Sequence, residues 1–195
     1  QADGGEIWIK GKKCDIKTPK KAIQAKIAYL SEDRKKQGLI LPFTIQWNLI
    51  LVVLEKLQKN PVFLDYKKAQ AISEAMIRRL RIKVSNGQQT AAQLSGGNQQ
   101  KVVIGKWVSS DADIFIFDEP TRGIDVGSKI EVYAIMNELV RNGKCVIMVS
   151  SEMYEVLGMS DKVIVMREGK IMSELYRDKD NFHEENIMKA AWGIA

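Results

Sequence analysis

The stretch that decides the fold is Leu94-Ser95-Gly96-Gly97-Asn98-Gln99-Gln100-Lys101. Its small residues predict a turn that opens a helix, with Ser95 at the N-cap. The backbone N–H groups at a helix N-terminus attract anions, since together they carry roughly half a positive charge. A plain cap needs only Ser95, whereas two glycines allow another backbone or a phosphate to approach closely. The stretch therefore favours an anion-binding helix terminus over a simple cap.

Two adjacent carboxylates follow a short apolar run further along the chain. The run Ile114–Phe117 predicts a buried strand, and Asp118-Glu119-Pro120 comes directly after it. Such carboxylates could simply cap the next loop, but neighbouring side chains of a strand point in opposite directions, which suits two different tasks. Paired acids can hold Mg²⁺ and polarise a water. Together with the glycine-rich turn, they indicate a site for a nucleoside triphosphate.

Composition restricts the class of protein. The 195 residues fit about one globular domain, with 45% hydrophobic and 28% charged residues. The net charge of +6 comes from basic residues dispersed among acids, which favours a solvated surface over a nucleic-acid interface. Cys14 and Cys145 suggest no metal pair and fit a reducing compartment. The longest apolar run, Leu49–Leu54, is too short to span a bilayer.

Hydrophobic periodicity predicts an α/β protein with a helical insertion. The segments Ile27–Leu30, Ile114–Phe117 and Cys145–Val149 are predicted as buried strands. Thr44 to Lys59 is predicted as one helix, and Asp65 and Ser95 are predicted to open two more. A hairpin near the C-terminus turns at Glu168-Gly169, and a helix is predicted from Glu184 to Trp192.

These motifs, in this order, resemble the nucleotide-binding domain of ABC transporters. More narrowly, they are similar to the second half of the tandem ATPase subunit of bacterial monosaccharide importers of the ribose and galactose type. The matching stretches are 28–39, 94–101, 118–127 and 150–152. The resemblance implies an α/β, P-loop NTPase (ABC ATPase) core formed by residues 1–42 and 91–195. It also implies a helical subdomain inserted at residues 43–90, which would dock on a membrane permease. Phe43, Ile45 and Trp47 are candidate contacts to the permease, although packing in the helix core is the more common use of such residues.

The same resemblance implies roles for individual residues. Glu119 would position or polarise the attacking water, and Asp118 would hold Mg²⁺, usually through water. The predicted ATP-binding residues are Ser95, Gly96, Gly97, Gln99, Glu32, Asp125 and Ser151. In the family, the signature Leu94–Lys101 contacts the γ-phosphate of ATP held by the opposite nucleotide domain. Glu32 lies where most members carry the Q-loop glutamine, although a solvated loop fits its composition equally well.

Two departures from the family pattern alter this interpretation. The sequence contains no Gly-x4-Gly-Lys-Ser/Thr run, so the chain is expected to start downstream of the P-loop. The family's switch histidine is replaced by Ser151, and the single histidine, His183, has no predicted role. We therefore expect this chain to act mostly in trans, through Ser95, Gly96 and Gly97. Its own Asp118 and Glu119 would line a weaker site.

The resulting functional prediction is the ATP-hydrolysing component of an ABC-type sugar importer, using ATP and Mg²⁺. The expected partners are a second nucleotide-binding half, membrane permease subunits and, indirectly, a periplasmic or lipid-anchored sugar-binding protein, at the cytoplasmic face of the membrane. No nucleic-acid partner is expected. One alternative is a catalytically inactive fragment that acts as a binding or regulatory module, and the isolated chain is expected to be inactive. A second is a soluble ABC ATPase acting on DNA or ribosomes, although no coiled-coil insertion or basic arm is visible.

Overall fold

The computed structural model describes residues 4–60, 63–179 and 182–193, and it divides the chain into two compact units, residues 1–147 and 148–195. The strands of the chain are β1 (Ile7–Ile9), β2 (Lys12–Cys14), β3 (Ile27–Leu30), β4 (Ile114–Asp118), β5 (Cys145–Val149), β6 (Lys162–Arg167) and β7 (Lys170–Tyr176). Its α-helices are α1 (Pro19–Gln24), α2 (Ile45–Ile50), α3 (Leu54–Leu57), α4 (Tyr66–Arg79), α5 (Gly96–Val108), α6 (Val126–Arg141), α7 (Met153–Met159) and α8 (Glu184–Trp192). No helix within the described ranges is long and apolar enough to cross a membrane.

The central sheet has the strand order β3-β4-β5, with β3 and β4 parallel. Ala28 pairs with Phe115 and Leu30 with Phe117, and all four side chains are buried on one face. The opposite face is open, because Tyr29 and Ile147 are both 48% exposed. The predicted strands are confirmed, but the predicted burial is wrong for β5, none of whose residues is buried, and for Tyr29 of β3. The described part of the chain leaves the open face uncovered.

Ion pairs connect the segments that precede the three strands of this sheet. The group consists of Lys10, Lys26, Asp111, Asp113 and Lys144. Lys10 and Lys144 approach Asp113 at 2.8 and 3.0 Å, and their hydrogen bonds lower the pKa of that carboxyl to about 2. The candidate functional residues instead follow the strands, as is usual for ligand sites in parallel sheets.

The prediction of one continuous helix from Thr44 to Lys59 is wrong, because the segment forms two α-helices. A 3₁₀ turn at Leu51–Val53 separates α2 from α3. Ile50, Val53 and Leu57 are all buried in one hydrophobic cluster. Because a 3₁₀ helix has three residues per turn, the turn brings Ile50 and Val53 to the same side, where both can be buried.

The glycine-rich helix α5 lies in the middle of the first unit. It packs against α2, α4 and α6, and Val102, Val103 and Ile104 are at most 1% exposed. Helices of the 43–90 segment therefore pack directly on α5 within one compact unit. The boundaries of a separate helical subdomain stay a prediction.

A buried lysine near the end of α5 gives a pH-dependent stability prediction. Lys106 is 6% exposed, its Nζ donates to the Gly38 carbonyl at 2.5 Å, and burial lowers its pKa to about 8. Between pH 8 and the unfolded pKa near 10.5, the unfolded chain binds more protons than the folded chain. Folding is therefore penalised below pH 8, and the penalty disappears as the pH rises towards 10.5.

We expect wild-type protein to gain about 3 kcal/mol of unfolding free energy relative to Lys106→Met between pH 7 and 10.5. Urea unfolding of both proteins across this range measures the difference, and the other titrating groups cancel because both proteins contain them. A constant difference would show that Lys106 does not titrate in this window.

The second unit contains the predicted hairpin and C-terminal helix. Strands β6 and β7 pair antiparallel, and Glu168 and Gly169 at their turn have φ angles of +50° and +76°. Two consecutive positive φ values are typical of the turn type that matches strand twist in a hairpin. Val163, Val165, Leu175 and Ile187 form the hydrophobic core of this unit.

Candidate functional site

The glycine-rich turn places Ser95 at the N-cap of α5, as predicted, but the side chain does not cap the helix. Ser95 is exposed, and its Oγ makes no hydrogen bond to a first-turn N–H group. Instead, Oγ accepts a hydrogen bond of 3.0 Å from Asn98 Nδ2. Since a hydroxyl carries one donor and two acceptor sites, this contact leaves the Ser95 O–H available for donation. The arrangement suits an acceptor approaching from outside.

Both ends of the Asn98 amide form hydrogen bonds, and together they fix its contact with Ser95. Its Oδ1 accepts from the backbone N–H of Lys83 at 2.8 Å, which fixes the orientation of the amide and directs Nδ2 to Ser95. Asn98 was not predicted from the sequence as a site residue. Its position three residues after the N-cap was the available signal, because that position commonly interacts with the N-cap residue.

The two glycines are required by contacts within this chain. A Cβ added at Gly96 would lie 2.8 Å from Arg34 Nη2 and 3.1 Å from the Gly123 carbonyl oxygen. A Cβ at Gly97 would lie only 2.0 Å from Ser128 Oγ and 2.5 Å from Ser128 Cβ. Close packing is therefore sufficient reason for glycine at both positions, and their nucleotide contacts stay a prediction.

Gln99 faces the interior of the fold. It is 4% exposed, and its Nε2 donates to the Ala91 carbonyl at 3.1 Å. Its Oε1 is buried and has no hydrogen-bond partner among the described residues. The predicted contact of Gln99 with ATP would require the side chain to leave this position, so its burial argues against that role.

The carboxylates after β4 form a second group. Asp118 accepts a hydrogen bond of 2.8 Å from the Tyr29 hydroxyl, and this bond raises the pKa of Tyr29. Glu119 has a φ of +47°, a left-handed conformation that costs a non-glycine residue about 1–2 kcal/mol. Strain of this kind is concentrated at functional sites.

The Asp118 carboxylate fits a Mg²⁺ ion bound with substrate. Mg²⁺ is usually held by one or two carboxylates together with waters and phosphate oxygens. Within the described ranges, no group of three His, Cys, Asp or Glu side chains could hold a metal on its own. A metal held here would therefore depend on ligands from the bound nucleotide.

Asp125 is the N-cap of α6. Its carboxylate accepts from the backbone N–H of Ser128 at 2.9 Å and from Ser128 Oγ at 2.7 Å. These bonds, the hydroxyl bond first, lower the pKa of Asp125. The residue is exposed, so the capping role leaves the predicted contact with nucleotide open.

The loop after β3, residues 31–38, which ends in a π-helical turn at Arg34–Gly38, contacts the segment 122–125. Glu32 forms an ion pair with the Arg122 side chain, and Arg34 donates to the carbonyl oxygens of Arg122 and Gly123 at 2.7 and 2.9 Å. An open cleft of about 320 Å³ lies between Glu32–Lys35 and Arg122–Gly123. The Glu32 side chain is 47% exposed, so it is solvated as well as paired with Arg122, and its contact with nucleotide stays a prediction.

Ser151 lies in the second unit, after β5, and is exposed. In the first unit, the structure brings together the signature turn (residues 94–97), Arg34, the 122–125 segment and Ser128. Asp118 and Tyr29 form their own pair.

Several known proteins are similar in sequence to this chain. A family model described as ABC transporter matches residues 1–122. The chain is 49% identical over 191 residues to the ribose import ATP-binding protein RbsA of Bacillus cereus, covering 98% of this chain and 38% of that protein. It is 49% identical over 189 residues to the xylose import ATP-binding protein XylG of Thermoanaerobacter pseudethanolicus, covering 97% and 37%. The chain therefore spans little more than a third of the length of these relatives.

Solved structures confirm the predicted fold class. A crystal structure of an ATP-binding cassette of an ABC transporter in its ADP conformation matches with a TM-score of 0.75 and 21% identity, covering 98% of this chain and 74% of that one. A dimeric cassette in a post-hydrolysis state, bound to ADP and Pi, matches with a TM-score of 0.73 and 18% identity, covering 89% and 74%. At these identities the likeness is one of fold alone.

Proposed function

Because this chain belongs to the ABC transporter family, we propose that it is part of the ATP-hydrolysing subunit of a monosaccharide importer. In this proposal, the signature turn of the chain completes an ATP site whose phosphates are held by a second nucleotide domain. Hydrolysis at that site is coupled to sugar uptake. The names of the ribose and xylose import relatives support the substrate class.

The observation that supports the proposal most directly is the exposure of Ser95 and its hydrogen bond with Asn98. Its side chain is exposed at the N-terminus of a 13-residue helix, and its oxygen is occupied by Asn98 instead of a first-turn N–H group. The hydroxyl can therefore donate to a phosphate oxygen, beside a helix terminus that favours negative charge. Phosphoryl transfer depends largely on such positioning and charge stabilisation.

Asp118 and Glu119 belong to the second, weaker site in this proposal. Asp118 would hold Mg²⁺, which supplies charge neutralisation on the phosphates when it is bound. Tyr29 orients the Asp118 carboxylate through its hydroxyl. Glu119 would position the attacking water. Glu32 and Asp125 would line the nucleotide sites, and the role of Ser151, in the second unit, stays a prediction.

The partners follow from the proposed assembly. We place the subunit at the cytoplasmic face of the membrane, with the helical segment 43–90 docked on a permease that receives sugar from a binding protein. Phe43 is 45% exposed and suits a docking contact, whereas Ile45 is fully buried and does not. The predicted contact of Ile45 with a permease is therefore wrong.

The proposal is tested by comparing Ser95→Phe with Glu119→Gln in the assembled transporter. Loss of one preorganised donor costs about 10²–10³-fold in turnover, and Ser95→Phe also blocks the approach of phosphate, so we expect at least that loss of ATP hydrolysis and sugar uptake. Glu119→Gln should reduce hydrolysis less. The exposed Asn137 on α6, outside the proposed docking segment, offers a control for the added bulk, Asn137→Phe.

A larger loss with Glu119→Gln would reverse the assignment of the two sites. Full hydrolysis with both variants would instead favour the alternative of a nucleotide-domain segment without catalytic function.

A further inference from the structure

The Arg34 side chain lies between two parts of the molecule, the 122–125 segment and the signature turn. Its Nη1 donates to the Arg122 carbonyl at 2.7 Å, and its Nη2 donates to the Gly123 carbonyl at 2.9 Å. The same Nη2 lies 2.8 Å from the position that a Cβ on Gly96 would take. The guanidinium of the loop after β3 thus lies between the 122–125 segment and the signature turn.

An arginine is chemically suited to this place. Its planar guanidinium presents several N–H donors in fixed directions, so one side chain can satisfy two successive carbonyl oxygens. A lysine ammonium has neither the plane nor the spacing. The Arg34 Nε is buried and has no hydrogen-bond partner among the described residues, so the guanidinium contacts are made by Nη1 and Nη2.

The contact also explains the glycine at position 96. The Gly123 carbonyl oxygen lies 3.1 Å from the same hypothetical Cβ, so Arg34 and Gly123 together fill the space beside Gly96. Glu32 adds a second link from the same loop through its ion pair with Arg122. Displacement of the loop would therefore alter the surroundings of both the 122–125 segment and the signature turn.

We propose that Arg34 is a positioning residue that fixes the 122–125 segment against the signature turn at Gly96. Loss of its guanidinium would leave the segment and the turn free to shift relative to one another. The inference rests on the proposed function, because its consequence for activity is that Ser95 is presented to nucleotide in the correct place. Its structural part, the coupling of Arg34 to Gly96, does not depend on any activity.

A double-mutant cycle tests the structural part. Gly96→Ala forces a Cβ against the guanidinium, so its decrease in unfolding midpoint should be at least twofold smaller in an Arg34→Ala background than in wild type. Gly105→Ala is the matched control on the same helix, because its Cβ would meet Leu49 and Leu80 instead of Arg34, and its effect should be the same in both backgrounds. Equal effects of Gly96→Ala in both backgrounds would overturn the inference.

Kinetics in the assembled transporter test the functional part. Arg34→Ala and Arg34→Lys should both lower kcat for ATP hydrolysis about tenfold or more, with KM for ATP changed less than threefold. Arg141, an exposed arginine at the end of α6 and outside the proposed docking segment, provides the control variant Arg141→Ala with unchanged kcat. Wild-type kcat with Arg34→Lys would overturn the requirement for the guanidinium. If Ser95→Phe also retained full hydrolysis, the proposed function itself would fail, so the two failures are distinguishable.

Discussion

Gly97→Ala is expected to lower the unfolding free energy by about 3 kcal/mol or more, the upper end of the usual cost of overpacking a core. The new Cβ would lie 2.0 Å from Ser128 Oγ and 2.5 Å from Ser128 Cβ, distances that real Cβ atoms do not show. Relief requires α5 and α6 to move apart, and these helices carry the signature turn and the Asp125 cap. Urea unfolding of the variant and wild type measures the loss.

A second substitution identifies the cause of this loss. Ser128→Gly removes both clashing atoms, so Gly97→Ala should cost less in a Ser128→Gly background than in wild type. Ser128→Ala should relieve it less, because its Cβ still lies 2.5 Å from the new methyl group. Gly158→Ala, in α7, meets no atom within 4 Å and should be neutral or slightly stabilising. A loss that persists in the Ser128→Gly background would contradict the packing explanation.

The sequence predicted helix boundaries well where local chemistry decides them. Asp65 and Ser95 lie at the N-caps of α4 and α5, and α8 spans Glu184–Trp192, as predicted. These features depend only on residues a few positions apart. The order of strands and helices could therefore be predicted, and the family resemblance fixed how they assemble.

Features that depend on contacts distant in sequence were not predicted. Lys101 ends the octapeptide that identified the fold, yet its side chain is buried and donates to the Arg81 carbonyl at 2.6 Å and to Glu131 at 3.0 Å. The 3₁₀ turn at Leu51–Val53 arises because one cluster must bury both Ile50 and Val53. Neither feature has a signal in the periodicity of its own segment.

The candidate site shows the same division. Ser95 at the N-cap could be predicted from the small residues around it, and Asp118 from its place after an apolar strand. The contacts of Ser95 with Asn98, and of Gly97 with Ser128, required the structure, because similar glycines serve phosphate binding and helix packing alike. Packing and ligand contact can also operate at the same residue.

Asn98→Asp is expected to separate activity from stability. The aspartate can still accept from the Lys83 N–H group, but it cannot donate to Ser95 Oγ as the amide does. The Ser95 hydroxyl would instead donate to the new carboxylate, and a negative charge would stand where phosphate is proposed to bind. We expect ATP hydrolysis in the assembled transporter to fall about 10²-fold or more, the cost of losing a preorganised donor.

Stability should change in the opposite direction, because a negative charge in the first turn of a helix is favourable by about 0.3–1 kcal/mol. Unfolding of Asn98→Asp should therefore be unchanged or slightly more difficult than that of wild type. Asn137→Asp, at an exposed position of α6, should affect neither property. An Asn98→Asp variant that hydrolyses ATP at the wild-type rate would show that donation by the Ser95 hydroxyl is not needed. The role of the turn would then rest on its backbone N–H groups alone.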